Sequence, residues 1–145
     1  MKKDNKGFSL VELIIVIAIM AVLIGVLAPT FIKYVEQGRR ATDIQNAEEI
    51  KSAIEADIAD GVLSGSSAGA KFVDYTASPA SGTVCASTVA KAPTISGGTA
   101  DKTAGFTVAY DAGTGVVSVS ITVGSDKIDL TDRDAAATYK QTGGK

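Results

Sequence analysis

The sequence predicts an α+β fold: a long N-terminal α-helix, transmembrane in its first half and amphipathic in its second, packed on a small antiparallel β-meander. Three observations predict it. Residues 8–32 are nearly all apolar, and Leu13 to Ala28 is a run of sixteen residues without a polar side chain. Behind that run, Ile44, Ala47, Ile50, Ile54 and Ile58 recur at spacings of three and four, which is one face of a helix. From residue 106 the period changes to two, the period of half-buried strands.

The chain opens on MKKDNKG, three lysines against Asp4. The apolar run that follows exceeds the ~20 residues a membrane-crossing helix needs. Lys2, Lys3 and Lys6 then predict a cytoplasmic N-terminus and a C-terminal bulk on the far side. A secretory signal would place its small-residue cleavage site after the apolar run. Here the small residue, Gly7, comes before it, so a cut there leaves the run on the mature chain.

The helix is expected to continue past the membrane edge through residues 33–60, about 53 residues and roughly 80 Å in all at 1.5 Å per residue. Its charged positions are spaced for i,i+4 pairing of Glu36 with Arg40, Arg39 with Asp43 and Lys51 with Glu55. Gly61 is placed to end it as a left-handed cap. Pro29 lacks an N–H, so the Gly25 carbonyl loses its helical partner, and a kink or loosened segment is expected from Gly25 to Pro29.

Residues 61–105 turn to Gly, Ser, Ala and Thr and predict mostly irregular surface, with short strands near 71–75 and 83–90. In residues 106–133, Phe106, Val108 and Tyr110 alternate with polar or small residues. Val117, Val119, Ile121 and Val123 do the same, as do Ile128 and Leu130. That is a three-strand meander with one apolar and one hydroxyl-rich face. The 44–58 stripe is the available cover for the apolar one. Residues 134–145 read as a frayed tail.

The 145 residues suit one domain. A net charge of −2 and a pI of about 5.1 supply no long-range attraction for nucleic acid, so no nucleic-acid partner is expected. The single cysteine, Cys85, excludes an intrachain disulfide and reads as a structural thiol. GSSAG at residues 65–69 matches the G-x-S-x-G pattern with Ser67 as nucleophile, but that motif needs a histidine base and the chain has no histidine. Asp126, Asp129, Asp132 and Asp134 crowd the C-terminal end as a solvated edge, or as weak calcium ligands. Arg39-Arg40 is too small a pair for a nucleic-acid patch.

Glu12 resists a bland reading. A carboxylate inside a bilayer costs roughly 2.5–3.5 kcal/mol on insertion scales. No Lys or Arg lies between it and Lys33. A cut after Gly7 creates an α-amino group on Phe8, four residues from Glu12 and at the same depth. The amine of one chain can then neutralise the glutamate of its neighbour and reward lateral packing in one axial stagger.

The stretch K-G-F-S-L-V-E-L, Lys6 to Leu13, followed by an apolar helix and Pro29, resembles the type IV pilins and their pseudopilin relatives over about the first 50 residues. The resemblance implies a leader of residues 1–7 removed by prepilin peptidase between Gly7 and Phe8, N-methylation of Phe8, and a subunit contact through Glu12. It implies subunits that wait in the cytoplasmic membrane and then polymerise into a helical homo-oligomeric fibre at the cell surface. An inner-membrane platform and an assembly ATPase drive that step, and the segment near Gly25 and Pro29 loses helicity in the fibre. Residues 8–32 would be the assembly helix and 33–60 its extension into the globular part. Many such proteins close their C-terminal loop with a disulfide, which a lone Cys85 cannot do. A structural role without catalysis or cofactor is the expectation, for adhesion or twitching motility. The alternatives are a pseudopilin of type II secretion or DNA uptake, and a single-pass anchored protein that never polymerises.

Overall fold

The computed structural model describes residues 8–76 and 79–144, so the expected leader, residues 1–7 with Gly7, lies outside the described residues. Helix α1, Leu10–Ala59, is followed by strands β1 (Ser66–Phe72), β2 (Thr83–Val84), β3 (Thr107–Asp111), β4 (Val116–Val123) and β5 (Asp126–Asp129), and by helix α2 (Arg133–Thr142). The α+β class is as expected. The chain divides into two units, one through Val35 and one from Glu36 onward.

In the first unit α1 is apolar all round, and every described side chain from residue 8 through 35 is exposed. By length and composition this helix is able to cross a membrane. It is helical without a break across Gly25 and Pro29, so of the kink or loosened segment expected there the loosened segment is absent. Proline deletes a single rung of the hydrogen-bond ladder, and the rungs on either side are enough to keep the helix.

In the second unit, α1 ends where expected. Gly61 takes φ 72°, its N–H donates to the Ile58 carbonyl at 3.1 Å, and the Val62 N–H donates to the Asp57 carbonyl at 2.8 Å. These are the paired bonds of a Schellman cap, and only glycine adopts that φ without strain.

The meander expected in residues 106–133 is present, with β3–β4 and β4–β5 antiparallel and Val108 opposite Val119. Its apolar face is buried: Phe106, Val108, Val117, Val119, Ile121 and Leu130 share a core with Ala47, Ile50, Ala53 and Ile54 of α1. Covering the sheet with the helix stripe is therefore what the structure does.

Three expectations need correction or extension. First, the meander is part of a larger sheet of order β2-β1-β3-β4-β5, in which β1 pairs antiparallel to β3 and parallel to β2. Its strand β1 begins at Ser66, inside the GSSAG stretch read as loop. A register shift between Ser67 and Ala70 accommodates Gly69, so small residues without β-propensity are carried by pairing to β3. The second expected strand shrinks to Thr83–Val84. Second, the described residues of 61–105 are mostly exposed, as expected, but they also supply core side chains, because Phe72, Val84, Cys85, Ala86, Ile95 and Ala100 are buried.

Third, the expected frayed tail forms α2 as far as Thr142. Asp132, in an extended conformation, accepts the N–H groups of Asp134 at 3.1 Å and Ala135 at 2.9 Å, and Gly143 closes the other end at φ 79°. An Asp cap, three consecutive alanines and a glycine stop were legible as a helix. Tyr139, fully buried, fixes α2 to the core.

Candidate assembly helix and the polar hub behind it

Glu12 lies in the first turn of α1 and has a partner within its own chain. The Ser9 N–H donates to Glu12 Oε2 at 2.9 Å, and Ser9 Oγ accepts from the Val11 N–H at 3.3 Å. This is a capping box, satisfying two orphan amides of the helix start reciprocally. The S-x-x-E spacing of Ser9 and Glu12 was a signal for it that the reading of Glu12 as an unpartnered anion missed. The carboxylate still has a second oxygen able to accept from elsewhere. Phe8 stands just ahead of the helix with its ring 86% exposed.

The deeper part of α1 carries buried charge on its core face, which the apolar stripe did not predict: Arg40, Asp43 and Asp57 are buried, while Ile44 and Ile58 are only partly so. Glu36 and Arg40 pair as expected, Oε1 to Nε at 3.3 Å. Arg39 turns to Glu36 instead of Asp43, at 3.9 Å. Lys51 and Glu55 form no ion pair among the described residues.

Asp43 is withdrawn from Arg39 by stronger claims. It accepts the Ser96 N–H at 2.6 Å, the Gly97 N–H at 2.8 Å and the Tyr139 hydroxyl at 2.8 Å. Charge-assisted bonds inside a core outweigh an exposed i,i+4 pair, whose contribution is roughly 0.2–0.5 kcal/mol.

Burial, and then the hydrogen bond to Asp43, push the Tyr139 phenol well above its ordinary value. A group whose pKa is raised on folding contributes stability that is complete below the unfolded value, about 10 for tyrosine, and is lost as pH rises beyond it. Denaturant titrations of the full chain in detergent are expected to show wild type losing more stability than Tyr139→Phe between about pH 9 and pH 11. Equal losses would mean that the phenol does not stay protonated in the fold.

The other candidates are dispersed. Asp129 accepts the Thr131 N–H at 2.9 Å and its hydroxyl at 2.6 Å, Asp132 caps α2, and Asp126 stands exposed at the start of β5. The carboxylates of Asp129 and Asp132 are thus used locally. Among the described residues no group of three metal-ligating side chains converges, so the structure does not bring the weak calcium candidates together. Ser67 Oγ accepts from the Gly69 N–H at 3.4 Å within β1. Cys85 is buried, its thiol donating to the Thr76 carbonyl at 3.4 Å, as a structural thiol should be.

Residues 2–28 match the model of the prokaryotic N-terminal methylation motif. The chain is 33% identical over 78 residues to a type IV major fimbrial protein FimA of Dichelobacter nodosus, covering 54% of this chain and 47% of that one. It is 36% identical over 66 residues to prepilin peptidase-dependent protein A of Clostridium perfringens, covering 45% and 47%. The chain thus spans about half the length of these curated relatives. No solved structure matches. The motif falls on the residues whose K-G-F-S-L-V-E-L pattern suggested it, and over its N-terminal half the chain is similar to type IV fimbrial subunits.

Proposed function

We propose that this chain is the structural subunit of a type IV pilus. In this reading prepilin peptidase cuts between Gly7 and Phe8, Phe8 is N-methylated, and the subunit waits in the cytoplasmic membrane through residues 8–32. An inner-membrane platform and its ATPase then feed it into a surface fibre for attachment or motility. The observation that carries this is the methylation motif at the head of an apolar helix that none of the described residues covers from residue 8 through 35. So large an apolar surface is stable in lipid or against copies of itself, and not in water.

Glu12 supplies the register. Its cap with Ser9 uses Oε2, and the freed amine of a neighbouring Phe8 competes for the same carboxylate or takes its other oxygen. Gly25 and Pro29, one hydrogen bond short, are where α1 extends most cheaply as the fibre forms. The role is structural and calls for neither catalysis nor cofactor.

The test is N-terminal sequencing with mass measurement of sheared surface material. Mature protein starting at N-methyl-Phe8 is the expected result, and an intact Met1 would make the chain a plain membrane anchor. Gly7→Leu should leave full-length protein in the membrane, and normal processing of that variant would remove the leader assignment. The resemblance to a prepilin peptidase-dependent protein keeps a second reading open, a pseudopilin of secretion or DNA uptake. Long fibres under the microscope separate the two.

A further inference from the structure

Residues 85–98 follow β2 and form neither helix nor strand, so their amides lack a ladder to join. Carboxylates take several of them. Asp57 accepts the Ser87 N–H at 2.7 Å and the Ser87 hydroxyl as well. Asp74 accepts the Ala92 N–H at 2.8 Å. Asp43 accepts the Ser96 and Gly97 amides, and Glu36 accepts the Gly98 N–H. Glu36, Asp43 and Asp57 are seven and fourteen residues apart on α1, two and four helical turns, which puts them on one face.

Along this segment Cys85, Ala86 and Ile95 are buried, while Thr88, Ala90, Lys91 and Thr94 are exposed. Asp43 also holds Tyr139, so the same side chain joins α1, this segment and α2.

We propose that residues 85–98 are a strap buckled to α1 by carboxylates, each buckle able to open its own stretch of the strap while the sheet stays folded. Asp43 is the buckle that also retains the C-terminal helix, the job that a disulfide cannot do in a chain with one cysteine. The physical basis is that the strap's amide bonds to the rest of the chain end on side chains of α1 and on Asp74, with one backbone tie, the Tyr75 N–H to the Ala90 carbonyl at 3.3 Å, whereas β3 and β4 bond to each other along their whole length. Losing a carboxylate therefore releases its stretch of the strap and costs the β3–β4 ladder nothing. This inference goes beyond the fibre role and does not depend on it.

Hydrogen exchange of the full chain in detergent micelles tests it. Asp57→Asn should speed exchange at residues 85–90, and Asp43→Asn at residues 95–98 and in α2, each by roughly tenfold to a hundredfold. The β3 and β4 amides should keep wild-type rates. Unchanged strap rates, or β3 and β4 accelerating in step with the strap, would overturn the proposal. Should an Asn variant fail to fold, Ser87→Ala and Tyr139→Phe each remove one hydroxyl bond and leave both carboxylates in place. Faster exchange at residues 85–88 in the first and in α2 in the second is expected, and wild-type rates in both would overturn it equally.

Discussion

Glu12→Val should yield subunits that insert and mature normally yet produce about one to two orders of magnitude less sheared fibre than wild type, taking a charge-assisted bond as roughly 1.5–3 kcal/mol. Insertion itself should improve, because a carboxylate in the bilayer costs roughly 2.5–3.5 kcal/mol and valine costs nothing. In the proposed assembly, what disappears is the partner for the Phe8 amine of the adjoining subunit, and with it the preference for one stagger among many equally apolar ones. Apolar helices by themselves pack at any axial offset that buries similar area.

The capping box sharpens the test, since valine removes two things at once. It deletes the charge and also the acceptor for the Ser9 N–H. Glu12→Gln keeps an acceptor for that amide and loses only the charge. If the neutral glutamine variant assembles as wild type does, Glu12 serves as a helix cap. If both variants fail while membrane levels of the subunit are normal, the charge pairing stands. Wild-type yield from Glu12→Val would remove both roles.

Gly97→Ala is expected to lower the stability of the full chain by about 2–5 kcal/mol, combining overpacking with one broken buried hydrogen bond. A Cβ at that position would collide with the Tyr139 hydroxyl, and it would lie 2.8 Å from Asp43 Oδ2 and 3.2 Å from Arg40 Cγ. The relief available is for Tyr139 to leave Asp43, which takes from the buried Oδ2 one of its two donors and loosens α2 together. Gly98→Ala is the internal comparison. Its Cβ meets only the half-buried Glu36 carboxylate at 3.2–3.3 Å, and that side-chain end can shift by a few tenths of an ångström without displacing the buried Asp43–Tyr139 pair. Denaturant midpoints measured in detergent should therefore separate the two alanine variants widely. Equal midpoints would mean that the hub around Asp43 is not tightly packed.

The difference between these neighbouring glycines was invisible in the sequence, where both sit in the same Ser-Gly-Gly-Thr stretch. What was legible followed from local periodicity. Sixteen consecutive apolar residues require lipid or like partners whatever the rest of the chain does. Isoleucines at helical spacing and valines at strand spacing each mark one buried face, and the two faces met. Gly61 ends a helix by its own conformational freedom. The motif around Gly7, Phe8 and Glu12 is likewise contiguous in the chain.

The misreadings share one cause, which is distance along the chain. Strand β1 is a strand because β3, some forty residues on, offers it a ladder, and its Ser-Gly-Ala composition could not announce that. Asp43 looked like a surface partner for Arg39 until residues 96, 97 and 139 arrived to claim it. The C-terminal helix is the exception, for Asp132, the alanines and Gly143 were all local signals.

By itself, then, the sequence determined the membrane-length helix, its motif and the meander, because side-chain periodicity and solvent preference act over a few neighbouring residues. Only the tertiary structure decided which carboxylates are buried, what they hold and how the C-terminus is retained without a disulfide. A buried charge is tolerated only where its hydrogen-bond partners converge, and here they come from segments 30 to 96 residues away.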